Sequence, residues 1–560
     1  MDWKKAGAIN LSQVSLAVAM LIFASPDYIN PGLDLAMVIS IFIPGLLLLI
    51  RINENIAKKI VLVEFLLIGL EYLILFQSPL VIVILYYIIL GIGYVFRRAP
   101  EATVVAFFLL TFSVFRINFF GTDEIMIDYY SAYLFLHGLN PYIPYNTANV
   151  YQFYHVSSLI YGTPITTGGV VTNLNYPSLS FLLLIPVVIL HISPNFVPLS
   201  FYFATIILLY FILMKHNEKS ILPALIAPLL ININYFYYPT GGVPDVIWVF
   251  FLLLSLSSNN DTLRGIAYGL SASVKQFPLA LLPFYIIYLY KERKNYKKFS
   301  LYSALTFLFL NGYFIILSPF YYFRDILYPV TASLIGIGFG PSVFSFGGIF
   351  YVYKQFFLVA MILVFISEIY VFMTKYRDFK LDWVVFPYFV FLFEYRVLWN
   401  YLMYWSFLPY SFQGKSRSRK FLKSELKTAA ISSLILISLT LFYHFNFSFY
   451  THSVHVEVLK MQEVEGRVYS ILLNVSYDPY VSTLPSRIFP QFRILPNSPM
   501  ITANGYLWKS NATWLSKNSW EIVNISSPIS SFEPHLCRFA IETYYGNLQS
   551  FCYINPYQFS

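Results

Sequence analysis

The sequence predicts an all-α polytopic membrane protein of about 13–15 transmembrane helices, with a small β-rich C-terminal extracytoplasmic domain. Three observations predict it. First, the 560 residues are 58% hydrophobic and only 11% charged, where a soluble domain carries about a quarter charged residues. So few charges cannot cover a globular surface, so lipid must. Second, runs such as LAMVISIFIPGLLLLI and IVLVEFLLIGLEYLILF approach the roughly 20 residues that cross a bilayer as a helix. Backbone in hydrocarbon must satisfy its own hydrogen bonds, which selects helices; a barrel would alternate in segments of about ten residues. Third, the texture changes beyond 447, where short β-prone runs are broken by Pro, Asn and Gly, as in VEGRVYSILLNVSYDPYVSTLPSRIF. The boundaries are therefore 1–446 for the membrane core and 447–560 for the outer domain.

Taken in order, the first five spans fall at 7–24, 33–50, 60–76, 79–95 and 102–118. MDWKK before an apolar run has the form of a signal peptide, but further crossings follow at once, which favours an uncleaved first helix. The net charge of +9 is spread over short loops: Lys4-Lys5, Arg51 with Lys58-Lys59, Arg97-Arg98, KERKNYKK at 291–298 and KSRSRKFLKSELK at 415–427. These read as cytoplasmic anchors of a cell-membrane protein with its N-terminus inside. With little aromatic interleaving, they do not read as a nucleic-acid surface. The fifth span then ends outside, and the loop at 119–175 is external. Further spans lie near 178–192, 197–214, 221–237, 246–258, 264–290, 299–317, 350–373, 382–411 and 428–445. The 264–290 segment is either one long helix or a short hairpin, and 382–411 is expected to turn near Arg396. Three crossings after the outer loop would put the charged MKHNEKS (214–220) outside, so one segment between 176 and 237 is expected not to cross fully. The tail holds seven basic and seven acidic residues over 451–560, sequons at Asn474, Asn511 and Asn524 with Asn446 just before it, and the only two cysteines, Cys537 and Cys552. A disulfide between these two fits an oxidising outer compartment.

The outer loop carries GTDEIMIDYYSAYLFLHGLNPY, residues 121–142. Thr122 can cap a helix beginning at Asp123, and acids in a first turn favour the helix dipole. That alone accounts for Asp123 and Glu124. The helix should stop at Gly138, ahead of Pro141. Glu124 and Asp128 are four apart and share a face with Ser131, while Ile127, Tyr130 and Leu134 form another face. Such a helix can lie along the membrane surface with its acids at the lipid–water boundary. A carboxylate there can take a proton from a hydroxyl arriving from outside, at the level of a lipid phosphate.

These residues carry a resemblance. TDE…DYYSAYLFLHGLNPY resembles the first outer loop of the GT-C superfamily of integral membrane glycosyltransferases, in particular the polyprenyl-phosphate-sugar-dependent, mannosyltransferase-like branch. There an acidic residue or pair precedes a Tyr/Ala-rich helix ending in G-x-N-P-Y, here Gly138, Asn140, Pro141 and Tyr142. NYPSLSFLLLIP (175–186) resembles the start of the next helix, with Ser178 where a second Pro is usual. GGVPDVIWVFFLLLSL (241–256) resembles a later outer-facing Asp segment, and GLSASVKQFPLALLP (269–283) a Lys-Pro helix. The resemblance covers about 120–410, and the tail matches nothing in it. It implies inverting transfer of a hexose from a dolichyl- or polyprenyl-phosphate carrier to a glycan, lipid or protein acceptor on the outer face. Asp123 would be the catalytic base, with Glu124 its neighbour or partial substitute, and Asp128 would orient the acceptor or structure the loop. Some branches use a divalent metal at these acids; this chain has no clear ligand set, and no cofactor is expected.

Other charges in a membrane bundle are functional candidates by default. Asp245 begins a helix and is either a cap or a site residue. Lys275 lies in an apolar stretch with no acid nearby in sequence; it either reaches a lipid phosphate or snorkels at a hairpin tip. Arg324-Asp325 are expected to pair locally. Arg396, with Asn400, Tyr401 and Tyr404 on following turns, suits bidentate phosphate recognition, unless Glu394 neutralises it. His452 and His455 are spaced to face opposite sides of a strand, against a zinc site. A transporter or flippase would show half-repeats and ion sites at mid-membrane instead. A non-catalytic scaffold with an external binding domain would need no cavity joining the acidic loop to the membrane.

Overall fold

A computed structural model describes residues 3–23, 30–116, 121–412, 423–496, 505–536 and 538–554. The chain is mostly helical up to 451 and mostly strand after it. Among the described residues, six helices are long and apolar enough to cross a membrane: Trp3–Ile22 (α1), Pro31–Leu48 (α2), Phe196–Lys215, Tyr296–Leu317, Gln355–Thr374 and Ile431–Thr451. Lys219–Ile231 and Asn234–Thr240, bent by 67°, would together make a seventh. Glu54–Ile74 (α3), Leu80–Val95 (α4), Ala99–Ser113 (α5) and Asp245–Ser257 pack beside them. Local signals set the boundaries. Asn30 accepts from the N–H groups of Gly32 and Leu33, with Pro31 in the first turn of α2. Asn53 caps α3 through the N–H of Asn55.

One end of the bundle gathers the charged loops. Lys219 pairs with Glu101 at 2.9 Å, Lys380 with Glu292 at 2.8 Å, and Lys5 with Asp382 at 2.6 Å. Lys5 is buried rather than a solvated anchor, and it also donates to the carbonyl of Leu48. The charged 214–220 turn therefore lies beside the 96–101 turn, on the same end of the bundle. Within 178–192, expected as one span, the helix is broken into two short pieces, Leu179–Leu182 and Ile185–Ile189.

Both ambiguous segments are hairpins. Asp261–Val274 and Leu282–Lys291 run alongside each other, with Tyr268 and Tyr285 rings 6.0 Å apart and the Asn295 N–H donating to Asp261 at their base. The tip is Lys275. In the second, Trp383 meets Phe412 (5.6 Å) and Phe391 meets Trp405 (5.8 Å), which sets the turn at 394–398. There Arg396–Val397 (β2) pairs in parallel with Ile337–Gly338 (β1). Most of the 415–427 basic loop lies outside the described residues.

The tail builds a seven-stranded antiparallel sheet. In chain order its strands are Val454–Val464 (β3), Arg467–Tyr477 (β4), Gln491–Pro496 (β6), Tyr506–Ser510 (β7), Ser519–Ser526 (β9), Phe539–Tyr545 (β10) and Leu548–Ile554 (β11), in spatial order β11-β10-β6-β7-β9-β4-β3. A two-residue pair, Arg487–Ile488 (β5) and Leu515–Ser516 (β8), lies apart. Alternation along β4 turns Ile471, Leu473, Val475 and Tyr477 into a core with Val523, Ile525 and Ile541. The sheet curls until its edges approach, the Cys552 thiol of β11 meeting the backbone of Val458 in β3. Cys537, the expected partner of Cys552, lies outside the described residues.

Candidate functional site

The site forms at the end of the bundle opposite the charged loops. Helix Asp123–Leu136 (α6) begins as its sequence requires: Thr122 is extended, and its hydroxyl accepts the N–H of Ile125. The helix ends at His137, with Gly138 at φ +75°. Two glycines bring α6 against the start of helix Asp245–Ser257. A Cβ on Gly121 would collide with the backbone carbonyl of Gly241, and Gly242 (φ +92°) would drive one into Asn195. Only bare backbone lets these two turns touch.

That contact places two acids around one lysine. Lys275, at its hairpin tip, pairs with Asp245 at 2.8 Å and with Glu124 at 3.0 Å. Asp245 also accepts from Asn400 (2.6 Å) and from the indole of Trp248 (3.2 Å). The ammonium lies over the rings of Tyr176 (4.8 Å), Phe277 (5.2 Å) and Tyr401 (5.5 Å). No acid is near Lys275 in sequence; the fold supplies two, and the lysine is committed to them. Gln276 fixes the tip from the other side by donating to the carbonyls of Asn175 and Ile326.

Asp123 faces differently. Its carboxylate accepts the Thr163 N–H at 3.1 Å, while part of the residue stays accessible. Burial pushes its carboxyl above the usual aspartate range, and the Thr163 bond and the charge of Arg396 pull against that. Arg396 is buried in β2 and donates to the carbonyl of Ile335 at 3.0 Å. Its charge also acts on Glu394 and Tyr401. One Glu394 oxygen has no hydrogen-bond partner among the described residues.

Six of the residues singled out in sequence thus converge: Asp123, Glu124, Asp245, Lys275, Arg396 and Tyr401. Asp128 lies one turn deeper. It is buried, accepts from Ser180 at 3.0 Å, and has its second oxygen unpaired among the described residues. Burial lifts its carboxyl well above the aspartate range, one turn beneath Glu124. Arg324 is bound to Asp325 and stays outside this cluster. Sequence reading missed Thr163, Tyr176 and two residues of the tail. Arg493 and Glu542 form a buried ion pair, and Arg493 donates to the carbonyl of Gly336, next to the carbonyl that Arg396 holds. Charged residues at paired inward positions of β6 and β10 were the available signal.

No family model matches the chain, and no curated protein or solved structure is detectably similar to it.

Proposed function

We propose that the chain is an integral membrane glycosyltransferase of the GT-C type, transferring a hexose from a dolichyl- or polyprenyl-phosphate carrier to an acceptor hydroxyl. The observation that carries this is a partly accessible Asp123, bonded to the Thr163 N–H and under the influence of the charge of the buried Arg396, at one end of an apolar helical bundle. In this reading the apolar helices cross the bilayer, the charged-loop end is cytoplasmic, and the site and tail are extracytoplasmic. The acceptor hydroxyl gives its proton to Asp123 and attacks the anomeric carbon in line. The bond from that carbon to the phosphate oxygen breaks, and its electron pair leaves with the polyprenyl phosphate, whose charge Arg396 stabilises. Glu124, Lys275 and Asp245 form the ion network that holds α6 in place rather than the group that meets phosphate. Asp128 supports the same helix from below.

The test is transfer from labelled polyprenyl-phosphate sugars in membranes. Asp123→Asn keeps the shape and the Thr163 contact but removes the base; the expected loss is about 10²–10⁴-fold. Wild-type transfer by a correctly folded variant would sink the assignment.

A further inference from the structure

The helix Pro319–Thr331 follows the span Tyr296–Leu317 after a single residue, Ser318. Its pattern is inverted for water. A helix on a soluble surface turns its apolar stripe to the protein and its polar residues outward. Here the inward side carries the polar partners. The Tyr322 hydroxyl donates to Asn311 at 2.9 Å, Asp325 accepts from Asn173 at 3.1 Å, and both residues are buried. The outward side carries Phe320, Phe323, Leu327 and Val330, all exposed. At 3.6 residues per turn these four share one arc of about 80°. Arg324 stands on the edge of that arc, half-buried, its guanidinium 5.2 Å from the ring of Tyr321. Among the described residues its hydrogen bonds use Nε and Nη2, both to Asp325, which leaves Nη1 for another acceptor.

Two observations say what covers the arc. The first is continuity with the span. Phe309, Tyr313 and Ile316 are exposed along its last turns, and Leu317 and Pro319 carry the exposed apolar surface into Phe320. The second is level. The helix is tied at three places to the end of the bundle that holds the site. Asn140, just past α6, donates to Ser318; Gln276, beside Lys275, donates to the carbonyl of Ile326 at 2.9 Å; and the chain leaving the helix gives the Ile335 carbonyl to Arg396. Thirteen residues of helix extend only about 20 Å, short of the roughly 30 Å of a hydrocarbon core. The helix is therefore too short to be another crossing. An apolar arc edged by an arginine and tyrosines, at the mouth of a span, has the form of a helix lying in the lipid–water boundary.

We propose that the helix Pro319–Thr331 lies in the interface of the leaflet at the site end of the bundle, with the arc from Phe320 to Val330 among phospholipid acyl chains. The inference rests on the membrane placement in the reading above and not on its chemistry. The partner is the bilayer itself. Acyl chains take the four apolar side chains, and the free nitrogen of Arg324 falls at the level of the headgroup phosphates, whose oxygens accept from it. Because the inward side holds Gln276, this contact with lipid also sets the height of the hairpin tip that carries Lys275.

The experiment uses the full chain in nanodiscs of phosphatidylcholine and phosphatidylglycerol. p-Benzoylphenylalanine replaces Phe323 or Leu327 and, as references, Phe309 on the span and Tyr480 on the tail, all four exposed. After illumination, intact-mass spectrometry reads what each position has captured. Positions 323 and 327 are expected to gain the mass of one phospholipid, as 309 does, while 480 gains none. Chain-to-chain adducts at 323 and 327 in place of lipid would give the arc to a second copy and overturn the proposal. No adduct at either position while 309 captures lipid would put the arc in water, overturning the interfacial helix and leaving the membrane placement intact. Equal lipid capture at 480 removes the distinction and overturns it as well. No lipid at 309 overturns the membrane placement, and the interfacial helix with it.

Discussion

At the scale of single residues, protonation decides what the site can do. In the proposed transfer Asp123 works as a base only when ionised, and burial raises its carboxyl above the ordinary aspartate value. Transfer should therefore rise with pH along an acid limb above about pH 3.9, the unperturbed value. Arg396 pulls that carboxyl down, so Arg396→Gln should move the limb to higher pH as well as slowing transfer. A pH–rate profile of both proteins checks this; an unmoved limb would dissociate Arg396 from Asp123. Lys275 matters to stability rather than to the proton. Lys275→Met leaves Asp245 and Glu124 side by side in a buried setting, at a cost of about 3–5 kcal/mol. Thermal unfolding in detergent should register that loss, and adding Asp245→Asn should recover part of it.

At the scale of elements, the site depends on turns that approach one another more closely than side chains allow. Gly121 and Gly241 touch through backbone, and Gly121→Val would push α6 away from helix Asp245–Ser257. A shift of about 1 Å at the base costs on the order of 10²-fold in rate. Transfer by Gly121→Val should fall that far while helical content, followed by circular dichroism, stays unchanged. The Lys275 and Arg396 hairpin tips matter for the same reason. Each is a short break in an apolar segment that delivers one cation to the end of the bundle opposite the charged loops. Such breaks are tolerated at membrane depth where they line a cavity or lie within protein.

At the scale of the whole molecule, the tail is part of the site's frame rather than an appendage. Arg493 and Glu542 are buried at its junction with the core, and Arg493 holds the same 335–336 backbone that Arg396 holds. Arg493→Ala strands Glu542 and frees that backbone; the expected cost is about 3–5 kcal/mol in stability, with reduced transfer at saturating donor. Undiminished stability and transfer in this variant would show the tail to be independent of the core.

A mostly helical core, with several helices apolar enough to cross a membrane, was legible in composition, and the change after 447 marked the strand-rich region. The start of α6 was legible too, because capping by Thr122 and termination at Gly138 are local. Acidic residues and lone cations in an apolar chain flagged the candidate site residues. What sequence could not supply was who faces whom. Lys275 meets Glu124 across 151 positions and Asn400 meets Asp245 across 155, and no periodicity encodes such distances. The joining of the tail to the 335–336 backbone was likewise decided by packing, because it depends on surfaces that exist only once the distant segments have come together.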